Sequence, residues 1–362
     1  MSGSTSGGGD SESSPELRID QLTGSRVILA AGRAKRPEAL APAPEHEREP
    51  ADCPFCEGRE DRTPPEIDAV RRGGGEPDTP GWTTRVVPNL YPALGGTARP
   101  LPGTGGGSEE GAFSSSADPL RATTRAGEAN LFASRAAEGE HEVLINSPEH
   151  QTRLGSLGEE QFAAAVDAWR ARMRAHADAS YVQLIVNEGR GAGASLEHTH
   201  AQLYALGFVP NAVARERERA GAYRERTAGA GLMSDILVEE VRRRDRLVTI
   251  DDEAALICPW ASRSPFEMRV IPRAATASFA DDGTGGAMIR TALQALAERF
   301  GATPQLNLWV RTAPRGAEHF HWHVDIAPKL TIKAGFELGT GVDINVYSPE
   351  QAAADLRESL GV

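Results

Sequence analysis

Two histidines one residue apart, His198 and His200, stand in "ASLEHTHAQL", in a chain with nine histidines among 362 residues. Three more, His319, His321 and His323, alternate in "EHFHWHVDIAP". Near pH 7 an uncharged imidazole is both a nucleophile and a metal ligand. Residues two apart on a strand point to one face, so His198, His200 and Gln202 share a face, as do His319, His321 and His323. Stacked imidazoles pack poorly as a core. The plain alternative is a row of hydrogen-bonded histidines on a half-solvated sheet, but such a face more often carries Thr, Lys or Glu, and the pattern occurs on two strands here.

The pair Cys53 and Cys56 in "CPFC" has the spacing at which two thiolates bind one tetrahedral Zn²⁺, an ion that takes four ligands when structural. Cys258 stands alone in "LICPW", so histidines must complete the set, and His150, His198 and His200 are the candidates. A redox CxxC needs a thioredoxin-like context, whereas "ADCPFCEGRED" is a polar loop after a Pro-rich stretch, which favours zinc. Three cysteines do not form a disulfide framework.

The elements that carry these residues occur twice. "EEQFAAAVDAWRARM" has helical spacing, "YVQLIVNEG" reads as a strand, and "HTHAQLYAL" is the first histidine strand. Further on, "FEMRVIPRA" is a strand, "AMIRTALQALAERF" a helix, "PQLNLWVRTA" a strand and "HFHWHVDIAP" the second histidine strand. Strand, helix, strand, His-x-His strand is thus repeated, which predicts an internal duplication of a small α+β unit. Mostly charged, helical sequence from "RERERAGAYRER" to "VEEVRRRDRL" joins the copies. Residues 1–15 read as a disordered acidic tail, and 95–138, rich in Gly, Ser and Ala, as a flexible insertion. The expected division is an N-terminal half at 16–210 and a C-terminal half at 211–362.

Composition narrows the function. With 40% hydrophobic and 25% charged residues the chain is globular, and it has no apolar run long enough to span a membrane. A net charge of −12 argues against a general nucleic-acid binder. The opening residues lack the basic and apolar regions of a secretory signal, so the expected location is cytoplasmic.

From about residue 16 to residue 357 the chain resembles the galactose-1-phosphate uridylyltransferases of the histidine-triad superfamily. The resemblance lies in "LTGSRVILAAGRAKRP", "CPFCEG", "TRVVPNLYPAL", "HEVLINSPEH", "NEGRGAGASLEHTHAQ", "SPFEMRVIPR", "HFHWHVDIAPKL" and "AGFELGTGVDINVYSPEQAA". It implies an α+β fold of two fused histidine-triad-like half-units, each an antiparallel sheet with packed helices. The implied activity is ping-pong nucleotidyl transfer from UDP-glucose to a hexose 1-phosphate through a covalent nucleotidyl-histidine at His200, with Gln202 donating to a phosphate oxygen. Similar-looking proteins are ADP-sugar and dinucleotide phosphorylases, and a non-catalytic zinc-stabilised nucleotide sensor is an alternative of another class.

The resemblance maps a zinc site onto Cys53, Cys56, His150 and His198, one ion per chain. Arg33, Arg36, Asn89, Asn187 and Ser195 match positions that bind the nucleotide or its phosphates, and Lys333, Phe336 and Glu337 match a loop that touches the sugar phosphates. Some relatives hold a second Zn²⁺ or Fe²⁺, for which Glu216, His319, His321 and His323 are the candidates. The implied partners are a nucleotide sugar, a sugar 1-phosphate and a second copy of the chain in a homodimer. Departures from the family pattern are Glu197 and Thr199, where it usually has prolines, and the long insertion.

Overall fold

The computed structural model describes residues 14–31, 52–95, 136–317 and 319–362. Arg33, Arg36, most of the acidic tail and most of the 95–138 insertion lie outside the described residues. The N-terminal part runs β1 (Glu16–Ile19), β2 (Arg26–Leu29), β3 (Asp68–Arg71), β4 (Trp82–Pro88), β5 (Gly139–Ile145), α1 (Glu159–Ala175), β6 (Tyr181–Glu188) and β7 (His200–Leu206). Two helices follow, α2 (Asn211–Arg226) and α3 (Leu232–Arg243). Then come β8 (Leu247–Ile250), β9 (Ala254–Ile257), β10 (Met268–Pro272), α4 (Gly286–Phe300), β11 (Leu306–Arg311) and β12 (His323–Pro328). The chain closes with α5 (Gly335–Thr340), β13 (Asp343–Asn345) and α6 (Pro349–Leu360).

The duplication is visible in the sheet. One ten-stranded sheet has the order β3-β4-β5-β7-β6-β11-β12-β10-β9-β8, so each half contributes the same five-strand pattern and the two patterns meet at β6 and β11. That pairing is antiparallel and sets Asn187 opposite Asn307. Two separate sheets would leave β6 and β11 as unpaired edges; joining them satisfies both backbones. A smaller sheet, β1-β2-β13, lies apart from it.

Register assigns the faces. Val186 is opposite Ala201, and Leu184 opposite Leu203. In the second half Leu308 is opposite Ile326, and Val310 opposite Val324. All eight side chains are buried. Helix α1 adds Phe162, Val166, Trp169 and Met173 to their cluster, at the spacing that puts four residues on one stripe, and α4 adds Met288, Ile289, Leu293 and Leu296. The intervening residues, His200, Gln202 and Tyr204 on β7 and Asn187 on β6, therefore point to the opposite face. One face of the sheet makes the main core, and the other carries these polar groups beside smaller apolar clusters, such as that of Val143 and Ile145 with Phe55.

Three elements differ from the sequence expectation. Strand β12 begins at His323, not at His319. Phe320 and Trp322 are buried in separate clusters, and the Trp322 N–H is taken by the Thr276 carbonyl at 3.0 Å, so this stretch is held off the ladder. His319 is exposed and does not share a strand face with His321 and His323. Likewise β7 starts at His200, because the Thr199 N–H bonds the Gln151 carbonyl at 2.6 Å. The stretch "AGFELGTGVDIN", expected as a loop, forms α5 and β13, the latter pairing with β2. No helix among the described residues is long and apolar enough to cross a membrane.

The core and one buried carboxyl give two predictions. Leu308→Ala leaves a cavity and should cost about 3 kcal/mol of unfolding free energy in denaturant titrations. Glu188 is buried; its Oε1 accepts from Leu154 N–H and, at 3.3 Å, from the Thr199 hydroxyl. Burial raises its carboxyl from 4.5 to about 7. A raised folded-state value means that its stabilisation is complete below the unfolded pKa and is lost as pH rises through the folded one. Wild-type stability should thus fall relative to Glu188→Gln between pH 4.5 and about 7. Parallel curves for the two proteins across that window would contradict it.

Candidate functional site

The "CPFC" turn and the entry to β7 converge. Ligand atoms of Cys53, Cys56, His150 and His198 all lie within 4.8 Å of one another, and among the described residues they are the one such group found. Cys53 Sγ is 3.5 Å from His198 Nδ1, and Cys56 Sγ is 3.4 Å from His150 Nδ1. His198 Nε2–H donates to the Ser147 carbonyl at 2.8 Å, which leaves Nδ1 as its ligand atom. Burial lowers the His198 pKa to about 4, so the ring is in the neutral form that coordinates a metal. Burial and the neighbouring Cys53 push the Cys56 thiol up to about 11, the response of two sulfurs that a cation between them would reverse. The donor set, two sulfurs and two imidazole nitrogens, fits a four-coordinate metal ion.

His200 follows directly. It is buried at the start of β7, opposite Ile145 of β5. Its Nδ1 is 2.7 Å from the His198 carbonyl. A carbonyl only accepts, so Nδ1 carries the proton and Nε2 keeps a free lone pair. Burial lowers its pKa, which keeps the imidazole neutral at pH 7. Phe55, inside the "CPFC" turn, packs edge-on against this ring with centroids 5.3 Å apart. The cysteine turn thus supports the ring of His200 as well as contributing the two sulfurs of the cluster.

Three side-chain amides lie near this strand, each with its oxygen already engaged. Asn89 Oδ1 accepts from the Tyr91 N–H at 2.9 Å. Asn187 Oδ1 accepts from Asn307 Nδ2 at 2.7 Å, across the join between the halves. Gln202 Oε1 accepts from the Tyr204 hydroxyl at 3.0 Å and lies 3.0 Å from His141 Nε2. The NH2 groups of Asn187 and Gln202 remain to meet a ligand, a pattern that suits an anion, while Asn89 Nδ2 lies 3.1 Å from His141 Nε2. The Gly-rich turn before β7 is held by Gln305, whose Oε1 accepts from the Gly191 N–H at 2.6 Å. Gly189 (φ +81°) lies so close to that side chain that an added Cβ would come within 2.3 Å of Gln305 Cγ. Ser195 is exposed in the same turn.

The second half repeats the backbone and, at 3.3 Å, the contact of His323 Nδ1 with the His321 carbonyl, but not the sulfur donors. His321 Nε2–H donates to the Pro272 carbonyl at 2.8 Å, as His198 does to Ser147, yet its Nδ1 faces the Ser234 hydroxyl at 3.5 Å where the first half offers two sulfurs. His323 lies between carboxylates: Nδ1 is 3.7 Å from Glu216 Oε1, and Nε2 is 3.7 Å from Asp325 Oδ2. Arg269 Nε holds Asp325 at 2.6 Å and Arg311 Nε approaches Glu216 at 3.9 Å, so guanidinium groups supply the positive charge. These groups line a cavity of about 300 Å³. Glu216 and His323 are brought together, whereas His321 bonds elsewhere and His319 lies exposed outside the strand.

Lys333, Phe336 and Glu337 lie in or just before α5. Lys333 pairs with Asp343 at 2.6 Å, Glu337 accepts from the Ala334 N–H at 3.0 Å, and Phe336 is exposed. Sequence reasoning did not single out His141, Tyr204, Phe55 or Asn307. Strand parity was the available signal for two of them, since His141 and Tyr204 share with His200 the alternation of β5 and β7.

Comparison with known proteins places the chain in a family. Residues 112–210 match the model of the galactose-1-phosphate uridyl transferase N-terminal domain. An ADP-glucose phosphorylase from Arabidopsis thaliana is 32% identical over 372 residues, covering 97% of this chain and 96% of the relative. A galactose-1-phosphate uridylyltransferase from Thermotoga maritima is 25% identical, covering 95% of this chain and 98% of the relative. The crystal structure of an Arabidopsis thaliana ADP-glucose phosphorylase with bound ADP-glucose superposes with a TM-score of 0.73 at 27% identity, over 95% of this chain and 99% of that one.

For the Cys2His2 cluster the expected outcome is about one metal ion per chain by elemental analysis. Cys53→Ser should lose the ion and lower the melting temperature together. Unchanged metal content in that variant would contradict the assignment.

Proposed function

This chain belongs to the galactose-1-phosphate uridylyltransferase family, and on that premise we propose that it transfers a nucleotidyl group from a nucleoside diphosphate sugar through a covalent intermediate on His200. The observation that carries the reading is the His200 Nδ1–H bond to the His198 carbonyl, which leaves Nε2 as the nucleophile. Nε2 attacks the α-phosphorus, a P–N bond forms, and the P–O bond to the departing sugar phosphate breaks. An acceptor phosphate oxygen then attacks the same phosphorus and restores the free imidazole. Gln202, Asn187 and Asn89 turn NH2 groups to the phosphates as negative charge redistributes. Ser195, Lys333, Phe336 and Glu337 are assigned to substrate contacts by family resemblance, as are Arg33 and Arg36.

The donor reading is adenylyl: an ADP-sugar with inorganic phosphate as acceptor. It is supported by the likeness to the plant ADP-glucose phosphorylase, which extends over nearly the whole of both chains. Uridylyl transfer between hexose 1-phosphates is the second reading, supported by the likeness to the bacterial uridylyltransferase. The metal is read as a structural Zn²⁺, whose charge holds the thiolates and fixes the side chain of His198. Residues 16–210 then form the half with the metal site and nucleophile, and 211–362 the half that buttresses it. A homodimer and a cytoplasmic location complete the proposal.

The test is incubation with ADP-glucose or UDP-glucose, each without acceptor, followed by intact-mass measurement. A gain of one AMP group with ADP-glucose, absent in His200→Ala, is the expected result. A UMP adduct moves the assignment to the second reading. Neither adduct, or an adduct retained by His200→Ala, contradicts the mechanism.

A further inference from the structure

We propose that His141 is a positioning residue for the transfer: it locks the Gln202 amide with its NH2 group turned toward the phosphate carried on His200. The role rests on the reading of His200 as the nucleophile. His141 lies on β5 directly opposite Tyr204 of β7, and the two rings stack at 4.0 Å between centroids and 23° between planes. Stacking holds the imidazole plane. Hydrogen bonding then settles which nitrogen carries the proton.

The Ala93 N–H donates to His141 Nδ1 at 3.2 Å. A backbone N–H cannot act as an acceptor, so Nδ1 is bare and the neutral ring carries its proton on Nε2. Burial lowers the pKa of this histidine, in keeping with a single protonated nitrogen. Two side-chain atoms face Nε2: Gln202 Oε1 at 3.0 Å and Asn89 Nδ2 at 3.1 Å. The Asn89 amide is fixed by Tyr91 N–H on its Oδ1, so its nitrogen is a donor and cannot satisfy the imidazole N–H. Gln202 Oε1 is the acceptor. The Tyr204 hydroxyl donates to the same oxygen at 3.0 Å, so both its lone pairs are filled.

An amide whose oxygen is filled twice has one orientation. Gln202 and His200 stand two residues apart on β7 and share a face, so the free Nε2H2 group is held on the nucleophile's side of the strand. Rotated by half a turn, the same amide would set a carbonyl oxygen against a phosphate oxygen, replacing attraction by repulsion. His141 therefore acts through Gln202 on the charge that builds up at phosphorus, without touching the substrate. The side chain that fixes a catalytic donor is commonly worth a substantial part of that donor's own effect.

The test is a single-turnover measurement of nucleotidyl-enzyme formation in a double-mutant cycle on the full chain. His141→Phe keeps the ring stack and removes the donor. It should slow adduct formation on the order of tenfold or more, with the KM for the nucleotide sugar within about threefold of wild type. In a Gln202→Ala background the same substitution should slow it no further, because there is no amide left to orient. Tyr204→Phe should follow the same pattern with a smaller effect, and His141→Gln, which keeps an N–H donor, should recover part of the rate. Metal content and melting curves establish that the variants fold, and if His141→Phe does not, His141→Gln and Tyr204→Phe carry the cycle. Wild-type rates in His141→Phe, or losses that multiply in the double variant, overturn the role of His141 alone. A wild-type protein that forms no adduct removes the nucleophile reading and this role with it.

Discussion

A single hydrogen bond, from His200 Nδ1–H to the carbonyl of His198, sets what the site can do. It selects the tautomer, and with it the one ring nitrogen that keeps a free lone pair. The residue that supplies the carbonyl is also the one whose side chain completes the Cys2His2 cluster. Residue 198 thus does two jobs with two different groups, its imidazole toward the sulfurs and its backbone toward the His200 ring. The edge contact of Phe55 with the His200 ring ties the cysteine turn to the same imidazole. A disturbance at the Cys2His2 cluster would reach the His200 ring through the entry of β7 and through the contact of Phe55.

Duplication supplies the frame, and divergence supplies the asymmetry. Both halves place a His-x-His segment at the entry of the strand next to the central pair, and in both the first histidine donates Nε2–H to a backbone carbonyl. The difference lies in what faces the other nitrogen. In the first half it is two sulfurs; in the second it is the Ser234 hydroxyl, and the cations Arg269 and Arg311 stand instead near His323. Arg269 bonds Asp325 beside His323, and among the described residues the second set of histidines forms no ligand cluster. The second half still contributes directly, because Asn307 crosses the β6–β11 join to hold the Asn187 amide.

Much of this was legible in the residue order. Period-two alternation located β6, β7, β10 and β11, helical spacing located α1 and α4, and the "CPFC" spacing marked a cluster that needed histidines. The starts of β7 and β12 were not legible, because a strand ends where its backbone partners are taken by a loop. The carbonyls of Gln151 and Thr276 that capture the preceding residues are distant or unpatterned in sequence. The fusion of two predicted sheets into one was equally hidden, since edge pairing leaves no mark on side-chain type. His141 escaped for a related reason: its role depends on the Ala93 N–H, a group that every residue except proline possesses.

The central claim is that His200 Nε2 is the nucleophile, and the most direct measurement is the site of attachment in the trapped intermediate. The protein labelled with ¹⁵N in histidine and loaded with a nucleotide sugar can be read by phosphorus–nitrogen coupling and by ring-nitrogen shifts. The hydrogen bond to the His198 carbonyl predicts a nucleotidyl group on Nε2 of His200, with Nδ1 still protonated. Attachment at Nδ1, or at any other residue, would contradict the account.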